Sequence, residues 1–149
     1  MNRFAEWLLI TAAMVVVTAT LLSAHEPKQE AIPAALQGKW ALVSTGEGGK
    51  SKNYTDRSIV FDEKEYRFIV KDLVVRRAAV SVNLSAKPTE MDQLHHFGPN
   101  KGQVMKCIFK LENDTLTIAS GFYQEGRPTA FDSSKPGCSS VTVWKRQKE

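Results

Sequence analysis

The sequence predicts an all-β protein folded as an antiparallel up-and-down barrel of about eight strands. Apolar and polar residues alternate with a period of two in several short segments, as expected for strands with one buried face. Turn-forming residues separate these segments at intervals of roughly 8–12 residues. No amphipathic helical pattern follows the N-terminal region. The short local turns favour a meander barrel over a sandwich, the other fold with this pattern.

The clearest strand signal lies in residues 102–121, which are typical of one β-hairpin. One face of its first strand carries Met105, Cys107, Phe109 and Leu111. Residues 112–114, Glu-Asn-Asp, supply the turn, because Asn and Asp tolerate left-handed backbone. Leu116 and Ile118 then resume the buried face. Antiparallel pairing of neighbouring strands is therefore the expected topology.

Weaker alternation predicts the remaining strands. Those before the hairpin begin at Gly38 and then span 57–61, 65–71, 77–85 and 89–96. Several glycines predict a flexible loop at 46–56 between the first two. After the hairpin, a long loop is expected at 122–140 and a last strand at 141–146, with Trp144 on the face opposite Val143.

The N-terminal region has the pattern of an export signal. Arg3 gives a positive start, residues 8–22 are almost wholly apolar, and Ala24 ends the segment with a small residue. We interpret 1–24 as a cleaved signal peptide, because the apolar run is shorter than the ~20 residues of a membrane span. An uncleaved membrane anchor is the alternative. The protein is thus expected to be exported, periplasmic or extracellular, with no membrane span after cleavage.

Removal of the signal leaves a flexible lead-in at 25–35 and one barrel domain at 36–147. A chain of this length can build a core without metal or disulfide. The net charge is +4, but the basic residues form no stripe interleaved with aromatic residues, so nucleic-acid binding is not expected. The domain is expected to be a monomer.

Cys107 and Cys138 leave two alternatives open. Export favours a disulfide, but Cys107 is predicted to lie in mid-strand and Cys138 before the last strand. Bridged Cα atoms must lie within about 7 Å of each other. Separate thiols are therefore slightly favoured.

The sequence predicts no catalytic or metal site. Asp92, His95 and His96 form the only cluster of metal-ligating types, but neighbouring strand residues point to opposite faces, so solvated histidines at a strand end are expected. No nucleophile motif or phosphate-binding loop occurs. We therefore expect neither an enzyme nor a bound cofactor.

Gly38-Lys39-Trp40 resembles the G-x-W start of the lipocalins. The resemblance implies that Trp40 closes one end of the barrel and that Arg146, at the end of the last strand, lies over its ring. A guanidinium over an indole face contributes about 0.5–2 kcal/mol, which is a physical reason for the pairing. Gly38, Trp40 and Arg146 are thus predicted to have structural roles.

A second resemblance covers nearly the whole of the predicted domain. It rests on segments 36–40, 87–92, 108–117, 126–131 and 145–146, with sequences LQGKW, KPTEMD, IFKLENDTLT, GRPTAF and KR. In this order they are similar to the small lipocalin-like domain found in many copies in planctomycete bacteria. The resemblance implies an exported domain of uncharacterised biochemical activity.

Two functions are compatible with these patterns. In the first, the barrel binds a small apolar or amphipathic molecule, since eight strands enclose room for one small ligand. The predicted lining residues are Leu42, Phe61, Phe68, Val80, Val82, Phe109 and Ile118. Arg127, in the long loop over the barrel, is a further candidate that could meet an anionic ligand at the mouth, but a loop arginine bonded to local carbonyls is the favoured alternative. In the second, large side chains fill the barrel, and the domain is a structural or protein-interaction module of the cell envelope with Trp144 and Tyr123 on its outer surface.

Overall fold

The computed structural model describes residues 31–148, and within that range the chain contains nine β-strands and no helix. The strands are β1 Gly38–Glu47, β2 Lys50–Asn53, β3 Arg57–Phe61, β4 Glu65–Val70, β5 Leu73–Asn83, β6 Thr89–Phe97, β7 Val104–Glu112, β8 Thr115–Ser120 and β9 Ser140–Arg146. The predicted signal peptide and residues 25–30 of the lead-in lie outside the described residues.

The strands form one closed antiparallel barrel, which confirms the predicted fold class. From β3 to β9 each strand pairs with the next along the chain, and β1 pairs with both β3 and β9. Eight strands, β1 and β3 to β9, make up the wall. Each strand turns one face inward because apolar residues alternate along it, so the core lies along the barrel axis. No helix in residues 31–148 is long and apolar enough to cross a membrane.

The flexible loop predicted at 46–56 is a β-hairpin instead. β1 continues to Glu47, and Ser44–Glu47 pairs with Lys50–Asn53. Gly48 and Gly49 form the turn with φ of +55° and +77°, a conformation that glycine adopts without steric cost. All four residues of β2 are exposed, so this strand has no apolar face from which it could be predicted.

Trp40 closes one end of the barrel. Its side chain is fully buried, and its Nε1 donates a hydrogen bond to Leu36 O at 2.9 Å. The Arg146 guanidinium carbon lies 4.1 Å from the centre of the indole ring. Gly38 has φ of +109°, and a Cβ there would lie 3.4 Å from Arg146 Nη1. The chain therefore enters β1 tightly against the arginine that covers the tryptophan.

Apolar side chains fill the half of the barrel next to Trp40. They come from every wall strand and from the turn before β1. The fully buried members include Ile32, Leu36, Ile59, Phe61, Ala78, Val80, Met91, Cys107 and Leu116. Packing of this kind leaves little space at the closed end. Any internal space must lie toward the other end.

The long segment between β8 and β9 covers part of the outer wall. Ile108 and Ala119 point outward from β7 and β8, and with Cys138 they form a second buried cluster against which Phe131 packs. The Lys110 ammonium lies 5.5 Å from the centre of the Phe131 ring. The segment contains no strand, but its side chains fasten it to the barrel.

Candidate functional site

A cavity of about 160 Å³ occupies the end of the barrel opposite Trp40, and we call it the mouth cavity. Its apolar lining residues are Leu42, Tyr66, Phe68, Met105, Ile118 and Trp144. Its polar and charged lining residues are Thr45, Glu47, Arg57, Arg76, Gln93, His95, Ser120, Ser140 and Thr142. The mouth cavity is thus amphipathic, with more polar than apolar side chains around it.

The structure divides the apolar residues predicted to line a ligand site into two groups. Leu42, Phe68 and Ile118 line the mouth cavity. The other four, Phe61, Val80, Val82 and Phe109, are buried in the packed core and are not part of the lining. Alternation places all seven on the inner face, but it carries no information on their height along the barrel axis.

Arg127 lies on the outer wall and does not line the mouth cavity. Of the two positions considered from the sequence, the structure shows the favoured one, a loop arginine bonded to main-chain carbonyls. Its Nη1 donates to Cys107 O at 2.7 Å and to Met91 O at 3.2 Å, and its Nη2 donates to Asp92 Oδ1 at 2.7 Å. Its Nε also lies 3.4 Å from Glu90 Oε1. Strand carbonyls and outward-facing carboxylates thus accept the hydrogen bonds of the Arg127 guanidinium. Through these bonds Arg127 fastens the long loop to β6 and β7.

Trp144 also differs from its expected position. We placed it on the outer surface, but it is only 4% exposed and lies inside the barrel. Its Nε1 donates to Thr142 Oγ1 at 2.8 Å, and its ring meets Phe68 edge-on at 6.3 Å between centroids. The partners of Trp144 in the sheet are Leu42 and Leu116, both inward-facing. Trp144 therefore forms part of the cavity wall.

His95 is a candidate site residue whose inward position was not predicted from the sequence. It follows Met91 and Gln93 on the inner face of β6, and it is 1% exposed, where a solvated side chain was expected. Its ring lies 5.2 Å from the Tyr123 ring and 6.4 Å from the Tyr66 ring, edge-on to both. The period of two along β6 is the signal that could have found it.

Neither ring nitrogen of His95 has a hydrogen-bond partner among the described residues. Burial lowers the pKa of His95 to about 4, and the charge of Arg76 and the neighbouring His96 act in the same direction. The imidazole is therefore neutral near pH 7 and offers one N–H donor and one acceptor. Buried polar groups normally have partners, so this side chain is poised to bind a polar group in the mouth cavity.

His96 has a different environment from His95. It points outward from β6, and its Nε2 lies 3.0 Å from Glu65 Oε2. Asp92 points outward and binds Arg127. Asp92 and His96 therefore lie on the outer side of the barrel wall and His95 on the inner side. Residues 31–148 contain no cluster of three or more His, Cys, Asp or Glu that could hold a metal ion.

Two arginines border the mouth cavity. The Arg57 guanidinium carbon lies 3.6 Å from the centre of the Tyr54 ring, and its Nε is 3.9 Å from Asp56 Oδ1. The Arg76 guanidinium carbon lies 5.4 Å from the centre of the Phe68 ring. Glu47 is the one carboxylate in the cavity lining. Positive charge therefore exceeds negative charge at this opening.

The two thiols of the barrel and the phenol of Tyr66, which lines the mouth cavity, are neutral near pH 7. Burial raises the pKa of Cys107 to about 12, against a smaller lowering by its hydrogen bond to Ser120. Burial also raises the pKa values of Tyr66 and Cys138 above their usual range. Both cysteines are free thiols; Cys107 belongs to the inner core and Cys138 to the outer cluster. A buried, protonated thiol is a poor nucleophile.

Comparisons with protein-family models, curated proteins and solved structures find no match to this chain. What the mouth cavity can bind therefore has to be inferred from its own residues and their geometry. Hydrogen-bonding side chains and one unpartnered imidazole surround an apolar floor that ends at Trp144 and Ile118. Such a site can hold a small molecule with one polar and one apolar end.

Proposed function

We propose that the protein is an exported binding module that holds one small amphipathic molecule in the mouth cavity. The observation that carries this proposal is His95, which is 1% exposed, borders the cavity and has no protein partner for either ring nitrogen. Leaving such a group unpaired costs roughly 1–3 kcal/mol. A ligand that hydrogen-bonds to it would recover that free energy.

The size of the mouth cavity limits the ligand. Its volume of about 160 Å³ is below the ~300–1,000 Å³ typical of sites for drug-sized molecules. The packed core next to Trp40 prevents a long chain from extending down the barrel axis. We therefore propose a compact ligand, the size of a single ring or a short chain, and not a lipid with a long tail.

Export is part of the proposal and is supported by the sequence of residues 1–24. The resemblance to the lipocalin-like domain of planctomycete bacteria supports an exported barrel in the same way. The proposed chemistry is binding without catalysis, because His95 is flanked by the aromatic rings of Tyr66 and Tyr123 and has no carboxylate partner in the described part of the chain to orient it as a base.

A second candidate is the interaction module with a filled barrel. The packing of the closed half favours it, as do the exposed apolar side chains of Leu73, Phe97 and Phe122. In that case the mouth cavity would hold only solvent, and binding of small molecules would be absent. The two candidates therefore differ in a measurable property.

Native mass spectrometry of the purified protein, followed by ¹H–¹⁵N NMR with a library of small amphipathic molecules, tests the proposal. We expect a retained mass or shifts at Gln93, His95 and the Trp144 indole. Met105→Trp should fill the cavity and abolish these shifts, whereas Lys106→Trp, the adjacent outward residue, should preserve them. Shifts that survive in M105W, or no binding at millimolar concentration, would contradict the proposal.

A further inference from the structure

We propose that the ligand of the mouth cavity carries a single carboxylate, held by Arg76 and His95. This inference rests on the proposed function and specifies the chemical class of the molecule. The charged residues lining the cavity are Glu47, Arg57 and Arg76. Arg57 has Asp56 at 3.9 Å, whereas Arg76 forms no ion pair within residues 31–148. One anionic group on the ligand would pair with Arg76.

Arg76 is the cationic side chain that can pair with the carboxylate of the ligand. The arginine ion pairs of residues 31–148 involve Arg57, Arg67, Arg127 and Arg146, and none involves Arg76. Arg57 already stacks on Tyr54 and lies near Asp56. The Arg76 guanidinium is held above Phe68, which leaves its N–H groups free to donate. A guanidinium matches the geometry of a carboxylate better than other cations do.

His95 supplies the second contact. It lies on β6, beside β5, which carries Arg76. As a neutral imidazole it can donate one N–H to a carboxylate oxygen. The titratable or charged groups around it are Arg76 on β5, Tyr66 on β4, Tyr123 in the long loop and His96, which is paired with Glu65. None of these neighbours hydrogen-bonds to the His95 ring. An anion between Arg76 and His95 would therefore give both side chains a hydrogen-bond partner.

The floor of the cavity determines which apolar part the ligand can have beside its carboxylate. Ile118, Leu42 and Trp144 provide apolar contact below the polar ring of side chains. In a volume of about 160 Å³ this favours a monocarboxylate with one aromatic ring or a short alkyl chain. A dianion such as phosphate carries more negative charge than the Arg76 side chain alone would balance, and it has no apolar part to bury.

Calorimetric titration with benzoate and butyrate, compared with benzamide and butyramide, tests the inference. The amides keep the size and lose the charge. We expect benzoate to bind roughly tenfold more tightly than benzamide, as for one charged hydrogen bond. Arg76→Gln should remove that advantage and leave benzamide binding unchanged. Arg77→Gln, the adjacent outward residue, should behave as the wild type.

The outcomes separate the two proposals. Equal binding of acid and amide, or an advantage that survives in R76Q, would overturn the carboxylate assignment while the proposed binding function would stand. Binding of neither class would overturn both. If R76Q does not fold, the His95 titration followed by NMR replaces it. Benzoate should raise the pKa of His95, and an unchanged pKa with benzoate bound would contradict the assignment.

Discussion

The Arg146 guanidinium lies over the Trp40 indole at 4.1 Å and donates hydrogen bonds to the carbonyls of Gln37 and Ala35. One side chain from the last strand thereby covers the ring from the first strand and binds the turn that precedes it. The Trp40 Nε1 is bonded to Leu36 within the same turn. The closed end of the barrel is therefore a single unit built from both ends of the domain.

Replacing Arg146 by Gln should lower the free energy of unfolding by about 2 kcal/mol, because the cation–π contact and the bonds to two carbonyls are lost. Urea unfolding followed by circular dichroism measures the change. Arg67→Gln is the control, since Arg67 forms only an exposed 3.8 Å contact with Asp62, and it should change stability by less than about 0.5 kcal/mol. Equal effects of the two substitutions would contradict the role of Arg146.

The stability of the protein should fall on acidification through the pKa of His95. In the unfolded chain His95 takes up a proton near pH 6.5, but in the folded protein only near pH 4. Between these values the unfolded state binds more protons, so stability is highest above pH 6.5 and decreases toward pH 4. We expect the titration of His95 to lower the free energy of unfolding by about 3 kcal/mol over this pH range.

Urea unfolding of the wild type and of His95→Gln at several pH values isolates this effect. The wild type should lose about 3 kcal/mol more than H95Q between pH 7.5 and pH 4. His96→Gln changes the adjacent exposed imidazole and should keep most of the wild-type pH dependence, because burial is the largest cause of the lowered pKa of His95 and His96 the smallest of the three. If the free energy of unfolding of the wild type and of H95Q changed with pH in parallel, a buried neutral imidazole at position 95 would be ruled out.

Arg127→Met should loosen the long loop. The substitution removes the bonds to Met91 O, Cys107 O and Asp92, and we expect a loss of about 2 kcal/mol. Hydrogen exchange should accelerate in residues 122–139 more than in the barrel strands. Asp92→Asn removes only the charge of one partner and should have a smaller effect. Unchanged exchange in this segment would show that Arg127 does not fasten it.

Neither cysteine should react quickly in the folded protein. Cys107 and Cys138 are buried free thiols with raised pKa values, so thiolate formation and access are both suppressed. Ellman's reagent should label almost no thiol under native conditions and two after unfolding without reductant. Detection of no free thiol in the unfolded, unreduced protein would show that a disulfide had formed.

The hairpin at 102–121 was predictable because its alternation and its Asn-Asp turn agree. The structure confirms it: β7 pairs with β8, Asn113 has φ of +54°, and Phe109 and Ile118 face inward. Local pattern and global fold coincide in this segment. The barrel class follows from repeated patterns of this kind and was predictable for the same reason.

The candidate site was only partly predictable. His95 occupies an inward position that alternation along β6 identifies, but its polarity suggested a solvated strand end. The position of Arg127 stayed open between the mouth and local carbonyls, because nothing in a loop sequence indicates against which side of the wall the loop packs. Ile108 and Ala119 are apolar on the outward face, and this departure from alternation is the signal that the long loop covers β7 and β8.

The pairing of β1 with β9 has a consequence for how the chain folds. During synthesis, β1 emerges more than ninety residues before its partner, so the sheet remains an open ribbon with two bare edges until Ser140–Arg146 arrives. Such edges can pair with other chains, and contacts this distant in sequence form slowly. Removal of β9 alone should therefore convert a stable domain into an aggregating one.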